Sequence, residues 1–219
     1  MSSLSGAAVL FDLDGTLVDS APSLTRALNQ MARERGVPEV AVTEVRKWVS
    51  LGGENMLRGT FGEDIANLEQ ELDTLREILR GQKADPSDLF PGVIDALKTL
   101  KENGLYTAIC TNKRENIAVP LASGLGIAPH LDAIVGGAVG RLLKPDPSIV
   151  ELTMSRLPVK PDRAAFVGDS EVDAETAAAT GLPFILVNFG YPLGEIEDIP
   201  RGAMIEHFDE LCPAICKLL

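Results

Sequence analysis

Short, almost wholly apolar runs recur along this chain with amphipathic helices between them, and that pattern admits few folds. The runs lie at 7–12, 105–111, 133–136, 164–168 and 184–187, with a further one at 203–205. They are rich in Val, Ile, Ala and Phe and are bounded by Gly, Asp or Pro. A strand that is apolar at every position is covered on both faces, as in a parallel sheet. Helical periodicity falls between the runs, at 92–103, 114–123, 147–156, 171–180 and 206–218. This βαβ succession predicts an α/β fold built on a doubly wound parallel sheet. With 219 residues, 45% of them hydrophobic, the chain can bury such a core.

The alternation stops between about residue 20 and residue 86, where only helical patterning is found. Ser23 to Arg35 is amphipathic, and Thr43 is the expected N-cap of a helix over 44–49. Asp64 to Arg80 carries Ile65, Leu68, Leu72, Leu75, Ile78 and Leu79 at helical spacing. Asp85-Pro86 ends that run, and Leu89-Phe90-Pro91-Gly92 leads back to the α/β pattern. The pattern predicts an all-helical domain of residues 20–86, inserted into an α/β core made of 1–19 and 87–219. Both connections are hinge candidates.

Composition excludes several classes of function. The formal charge is 20 minus 32, or −12, which disfavours nucleic acid as a partner because phosphate neutralisation dominates such binding. No apolar run approaches the roughly 20 residues that span a bilayer. Met1 to Gly6 carries no positive charge and no signal region. A cytoplasmic protein without membrane or nucleic-acid partners is expected. Three cysteines, Cys110, Cys212 and Cys216, suit a reducing compartment. Cys212 and Cys216, one helical turn apart, are expected to be buried helix residues. His130 and His207 are isolated.

The first apolar run ends in Asp12-Leu13-Asp14-Gly15-Thr16. Period-2 spacing is expected to put Asp12 and Asp14 on one side of an extended backbone. Two close carboxylates after a buried strand repel each other unless a cation or proton intervenes. A calcium loop is excluded, because the sixth and twelfth positions from Asp12 are Leu17 and Ser23, where Gly and Glu are required. Three further segments follow runs or occupy loops near them. Thr111 and Asn112 end the second run and can donate to an oxyanion. Lys144, before Pro145 and Pro147, is expected in a stiff, extended loop as a point charge for phosphate. Gly168-Asp169-Ser170-Glu171-Val172-Asp173 ends the fourth run in two more acids. In a doubly wound sheet, strand carboxyl ends form the ligand site. There Asp12, Asp14 and Asp169 could share one hard cation, for which Mg²⁺ fits best.

These four segments, in this order, resemble the haloacid dehalogenase superfamily in its phosphatase branch. That family is marked by Asp-x-Asp-Gly-Thr/Val, a strand-end Ser/Thr, a Lys and Gly-Asp-x-x-x-Asp. The resemblance covers nearly the whole chain, and it implies that the helical insertion is the family's cap. It also implies a catalytic set of Asp12, Asp14, Thr111 and Lys144. Asp12 would attack phosphorus to form an aspartyl-phosphate. Asp14 would protonate the leaving alkoxide and then activate water. Mg²⁺ would be held by the Asp12 and Asp169 side chains and the Asp14 carbonyl, with Asp173 orienting its waters. Thr111, Asn112 and Lys144 would hold the phosphoryl oxygens.

Within that superfamily, Phe11 to Pro22, Thr111-Asn112-Lys113, Phe166 to Ser170 and Gly190-Tyr191 resemble the phosphoglycolate phosphatases. A small phosphorylated metabolite is the implied partner. Substrate choice is expected in the cap loop Leu51 to Asn55, with Gly53 allowing close backbone approach and Arg46, Lys47 and Arg58 as nearby cations. A broad sugar-phosphate phosphatase, a pyrophosphatase and a β-phosphoglucomutase-like enzyme are the alternatives. The mutases carry an arginine in this loop where Gly53 stands. A non-catalytic relative is the reading from another class. It would bind a phospho-ligand, or a protein through Glu195, Glu197 and Asp198.

Overall fold

A computed structural model describes residues 4–158 and 163–219. Six parallel strands, β1 (Ala8–Phe11), β2 (Tyr106–Arg114), β3 (Ala133–Gly137), β4 (Ala164–Gly168), β5 (Phe184–Val187) and β6 (Ala203–Ile205), form one sheet in the order β3-β2-β1-β4-β5-β6. The predicted runs become strands, and β1, β4 and β5 bury both faces, whereas the edge strand β6 leaves Met204 exposed. Along β1, Val9 and Phe11 enter one apolar cluster while Ala8 and Leu10 enter the other. The first cluster is covered by α5 (Val93–Glu102), α6 (Glu115–Gly124) and α9 (Leu211–Leu218). The second is covered by α7 (Ser148–Ser155) and α8 (Glu171–Thr180). The sheet is therefore doubly wound, and the order reverses between β1 and β4, whose carboxyl ends open the crevice where ligands bind in such sheets.

Between β1 and α5 the α-helices are α1 (Ala21–Arg35), α2 (Val42–Arg46), α3 (Gly53–Phe61) and α4 (Leu68–Gly81). Leu24, Leu28 and Met31 of α1, Val45, Leu57 and Leu75 form a third apolar cluster separate from the sheet's two. The outgoing and returning connections lie side by side. Asp19 N–H donates to the Asp88 carbonyl at 2.8 Å, and Phe90 N–H to that of Leu17 at 3.1 Å. Among the described residues, no helix is long and apolar enough to cross a membrane.

Several expectations need correction. β1 ends at Phe11, although the Asp12 N–H still donates to the Val167 carbonyl of β4 at 2.9 Å, and Asp14 lies beyond the strand in an isolated bridge with Val18. Thr43 is not a cap, because α2 begins at Val42 with Ala41 before it. Three of the five residues of the expected cap loop are helix, since Gly53 to Asn55 form the first turn of α3. Lys144 sits in a turn rather than an extended loop, with Asp146 N–H donating to the Leu143 carbonyl at 2.9 Å. Cys216 is exposed and Cys212 half-buried, because α9 buries Leu211, Ala214 and Ile215 instead.

Candidate active site

The carboxyl ends of β1 and β4 bring Asp12, Asp169 and Asp173 together, with one carboxylate oxygen of each lying within 4.8 Å of the others. Asp173 is in the first turn of α8. Its Oδ2 accepts from the backbone N–H groups of Asp169 (3.1 Å) and Ser170 (3.2 Å) and from the Ser170 hydroxyl (2.9 Å). That arrangement serves the helix start, where a carboxylate is favoured. Its other oxygen takes the Lys144 ammonium at 2.7 Å, and Lys144 also lies 2.8 Å from Asp12 Oδ1. Lys144 is itself held by Asn112. The amide Nδ2 donates to the Lys144 carbonyl at 3.0 Å, and Oδ1 accepts from the Lys144 N–H at 2.8 Å. The Asn112 side chain thus positions the lysine, whereas the sequence pointed it at a phosphoryl oxygen.

Asp169 is clasped from two sides. A Cβ on Gly15 would come within 2.2 Å of its Oδ2, and one on Gly190 within 2.1 Å of its Cβ, so only glycine lets both loops close on it. Thr16 Oγ1 donates to Asp169 Oδ1 and the Tyr191 N–H to Oδ2, both at 2.8 Å.

Two buried carboxylates, Asp169 and Asp173, and the half-buried Asp12 meet beside one buried ammonium, Lys144, which pairs with Asp12 and Asp173, and the electrostatics reflect the excess. Burial pushes Asp12 up from 3.8 to about 6; Lys144 opposes this, while Asp173 and Asp14 add to it. Burial, reinforced by Asp173 and Asp12, holds Asp169 well above the usual carboxylate range. For Lys144, burial alone would depress the ammonium, but Asp12 and Asp173 outweigh it and the net shift is upward. Asp12 Oδ1 is buried and receives no well-directed hydrogen bond, although Lys144 stands beside it. An all-oxygen, over-negative cluster with an under-used oxygen fits a hard divalent cation such as Mg²⁺.

The Asp14 carboxylate is outside this cluster. It pairs with Lys113 Nζ at 2.8 and 3.1 Å. Asp12, Asp14, Thr111, Asn112, Lys144 and Gly53 all line one cavity of about 420 Å³ between the strand ends and the helical segment. The cations named near the cap loop, Arg46, Lys47 and Arg58, do not line it. Arg46 pairs with Asp19, Lys47 with Glu44, and Arg58 with Glu54 and Glu63. Those that do are Arg76, Lys113, Arg114, Arg141 and Lys144, and all but Lys144 were missed from the sequence. For Lys113 a signal existed. It is two residues from Thr111 in a strand that runs on to Arg114, and period 2 puts the pair on one side.

A family model described as haloacid dehalogenase-like hydrolase matches residues 7–181. A phosphoglycolate phosphatase of Caulobacter vibrioides is 33% identical over 99% of this chain and 93% of its own length. One from Yersinia pseudotuberculosis is 36% identical over 94% of this chain and 92% of its own. Among solved structures, a predicted phosphoglycolate phosphatase from Haemophilus somnus superposes with a TM-score of 0.87 at 22% identity, covering 97% of this chain and 99% of that one.

Proposed function

The chain belongs to the haloacid dehalogenase-like hydrolases, and from that premise we propose that it hydrolyses a small phosphomonoester through Asp12, with 2-phosphoglycolate as substrate. The convergence of Asp12, Asp169 and Asp173, with Lys144 paired to Asp12 and Asp173 and with Asp12 and Lys144 on the wall of a cavity, carries this reading. The substrate assignment is supported by full-length relatives named phosphoglycolate phosphatase. A cavity of about 420 Å³ with five lining cations suits a small anion in a chain whose net charge is −12.

Asp12 attacks phosphorus in line, forming a phosphoryl–Asp12 bond and releasing the alkoxide. Asp14 supplies the proton that the alkoxide takes and later accepts one from the attacking water. Lys113 holds that carboxylate within the cavity, so proton delivery requires the pair to loosen as substrate enters. Lys144 and the Thr111 hydroxyl neutralise and orient the phosphoryl oxygens, and Asn112 fixes Lys144 for that purpose. Mg²⁺ would be held by Asp12, Asp169 and the Asp14 carbonyl, with Asp173 beside them. When bound it supplies charge neutralisation between nucleophile and phosphate. Residues 20–86 act as a cap whose walls, Gly53 and Arg76 among them, meet the leaving group.

The test is a phosphate-release screen with Mg²⁺ over 2-phosphoglycolate, β-glucose 1-phosphate, other sugar phosphates and pyrophosphate. A clear preference for 2-phosphoglycolate that vanishes in Asp12→Ala is expected. A lead for another ester reassigns the substrate, and Asp12-independent release overturns the mechanism.

A further inference from the structure

Tyr191 belongs to the core by sequence and to the helical segment by packing. It follows β5, yet it is 4% exposed inside the third apolar cluster, where every other buried member lies within residues 21–75. Its three polar groups reach three different places. The backbone N–H holds Asp169 Oδ2 at 2.8 Å, and Gly190 lets the loop come that close. The carbonyl accepts from Ser50 Oγ at 2.7 Å, in the segment after α2. The phenol donates to Asp19 and accepts from the Ala21 N–H at 3.2 Å, at the root of α1. Asp19 is paired in turn with Arg46 at 3.1 Å, and the Arg46 guanidinium sits 5.9 Å from the Tyr191 ring centre.

We propose that Tyr191 is a positioning residue joining Asp169 to the root of the helical segment, so that cation binding at the acidic cluster and seating of the segment over the cavity form one coupled equilibrium. This inference rests on the reading that the cluster takes Mg²⁺. The Asp169 carboxylate cannot shift toward a cation without carrying the Tyr191 N–H and its loop. The loop cannot shift without pulling the phenol from Asp19 and Ala21, on the connection about which the segment would swing. A cation moves such an equilibrium only by its difference in affinity for the two arrangements, and segment seating must then strengthen cation binding by the same factor. Asp169 is gripped by the backbone of residue 191. Removing the phenol oxygen therefore leaves that hydrogen bond and the Ser50 contact to the Tyr191 carbonyl intact, and it removes only the link to Asp19 and Ala21 at the root of α1.

The experiment is amide hydrogen exchange of the full chain with and without Mg²⁺, in wild type, Tyr191→Phe and Asp19→Ala, alongside Mg²⁺ titration by calorimetry. In wild type, Mg²⁺ is expected to slow exchange about fivefold or more in both the Asp169 loop and residues 21–61, within the usual range of coupling. In Tyr191→Phe the loop keeps its protection, the helical segment loses most of it, and Mg²⁺ affinity weakens. Asp19→Ala, which spares the buried ring, should reproduce this and covers any misfolding of the first variant. Undiminished Mg²⁺-dependent protection of residues 21–61 in both variants overturns the link and leaves the phosphatase reading untouched. So does wild-type protection confined to the Asp169 loop. A wild type that binds no Mg²⁺ and hydrolyses no ester overturns both.

Discussion

Asp12 and Asp14 stand two residues apart, yet different lysines hold them: Lys144 from the turn after β3, and Lys113 from the end of β2. This separation assigns the two acids different work. Under the proposed mechanism Asp12, drawn into the acidic cluster, is the nucleophile, and Asp14, kept off it, is the proton donor. Asp14→Asn should therefore slow turnover by about 10²-fold or more. Its Mg²⁺ affinity by calorimetry should change little, and a lost affinity would place the Asp14 carboxylate on the cation instead. The candidate residues were legible because each short motif names its own acids, hydroxyl and lysine. Their pairings were not, because these span long distances in sequence. Lys113 reaches Asp14 across 99 residues and Tyr191 reaches Asp19 across 172, and no local pattern records such a contact.

The strands were readable in place because burial on both faces leaves an unbroken apolar run, and five of the helices flanking the sheet followed from their periodicity. The helical segment was read less well. Gly52, Gly53 and Asn55 have the composition of a loop, but Gly52 takes φ +87° as the residue before α3, and Gly53 is already helical. At Gly53 an added Cβ would meet Leu72 Cδ2 at 2.9 Å, which brings α3 close to α4 over the cavity. Gly59, further along α3, is more tightly constrained. A Cβ there would lie 2.4 Å from the Trp48 ring. Gly59→Ala should destabilise the helical segment by about 1–3 kcal/mol through overpacking. Trp48, the single tryptophan, reports this directly in a fluorescence-monitored denaturation. An unchanged midpoint would mean that the Trp48 ring does not pack on α3 as described.

At the scale of the molecule, the α/β core with its helical excursion after β1 was legible from the order of patterns alone. The charge state of the core was not, since it depends on three acids meeting in a buried site. That state predicts a pH dependence. Asp12 and Asp169 titrate higher in the fold than when exposed. The stability they contribute is present in full below their ordinary value of 3.8. For Asp12 it is lost as pH rises through about 6. A cation that binds the ionised cluster offsets this loss, so the rise in Tm on adding Mg²⁺ should be small near about pH 5 and larger above about pH 7. Equal rises would remove the cluster as the binding site. The central claim is that Asp12 takes the phosphoryl group, and the most direct measurement is acid-quenched mass spectrometry during turnover of 2-phosphoglycolate with Mg²⁺. One phosphoryl group is expected on the peptide containing Asp12, absent in Asp12→Asn, which releases no phosphate. Turnover without any phosphorylated Asp12, or undiminished turnover in Asp12→Asn, would contradict it.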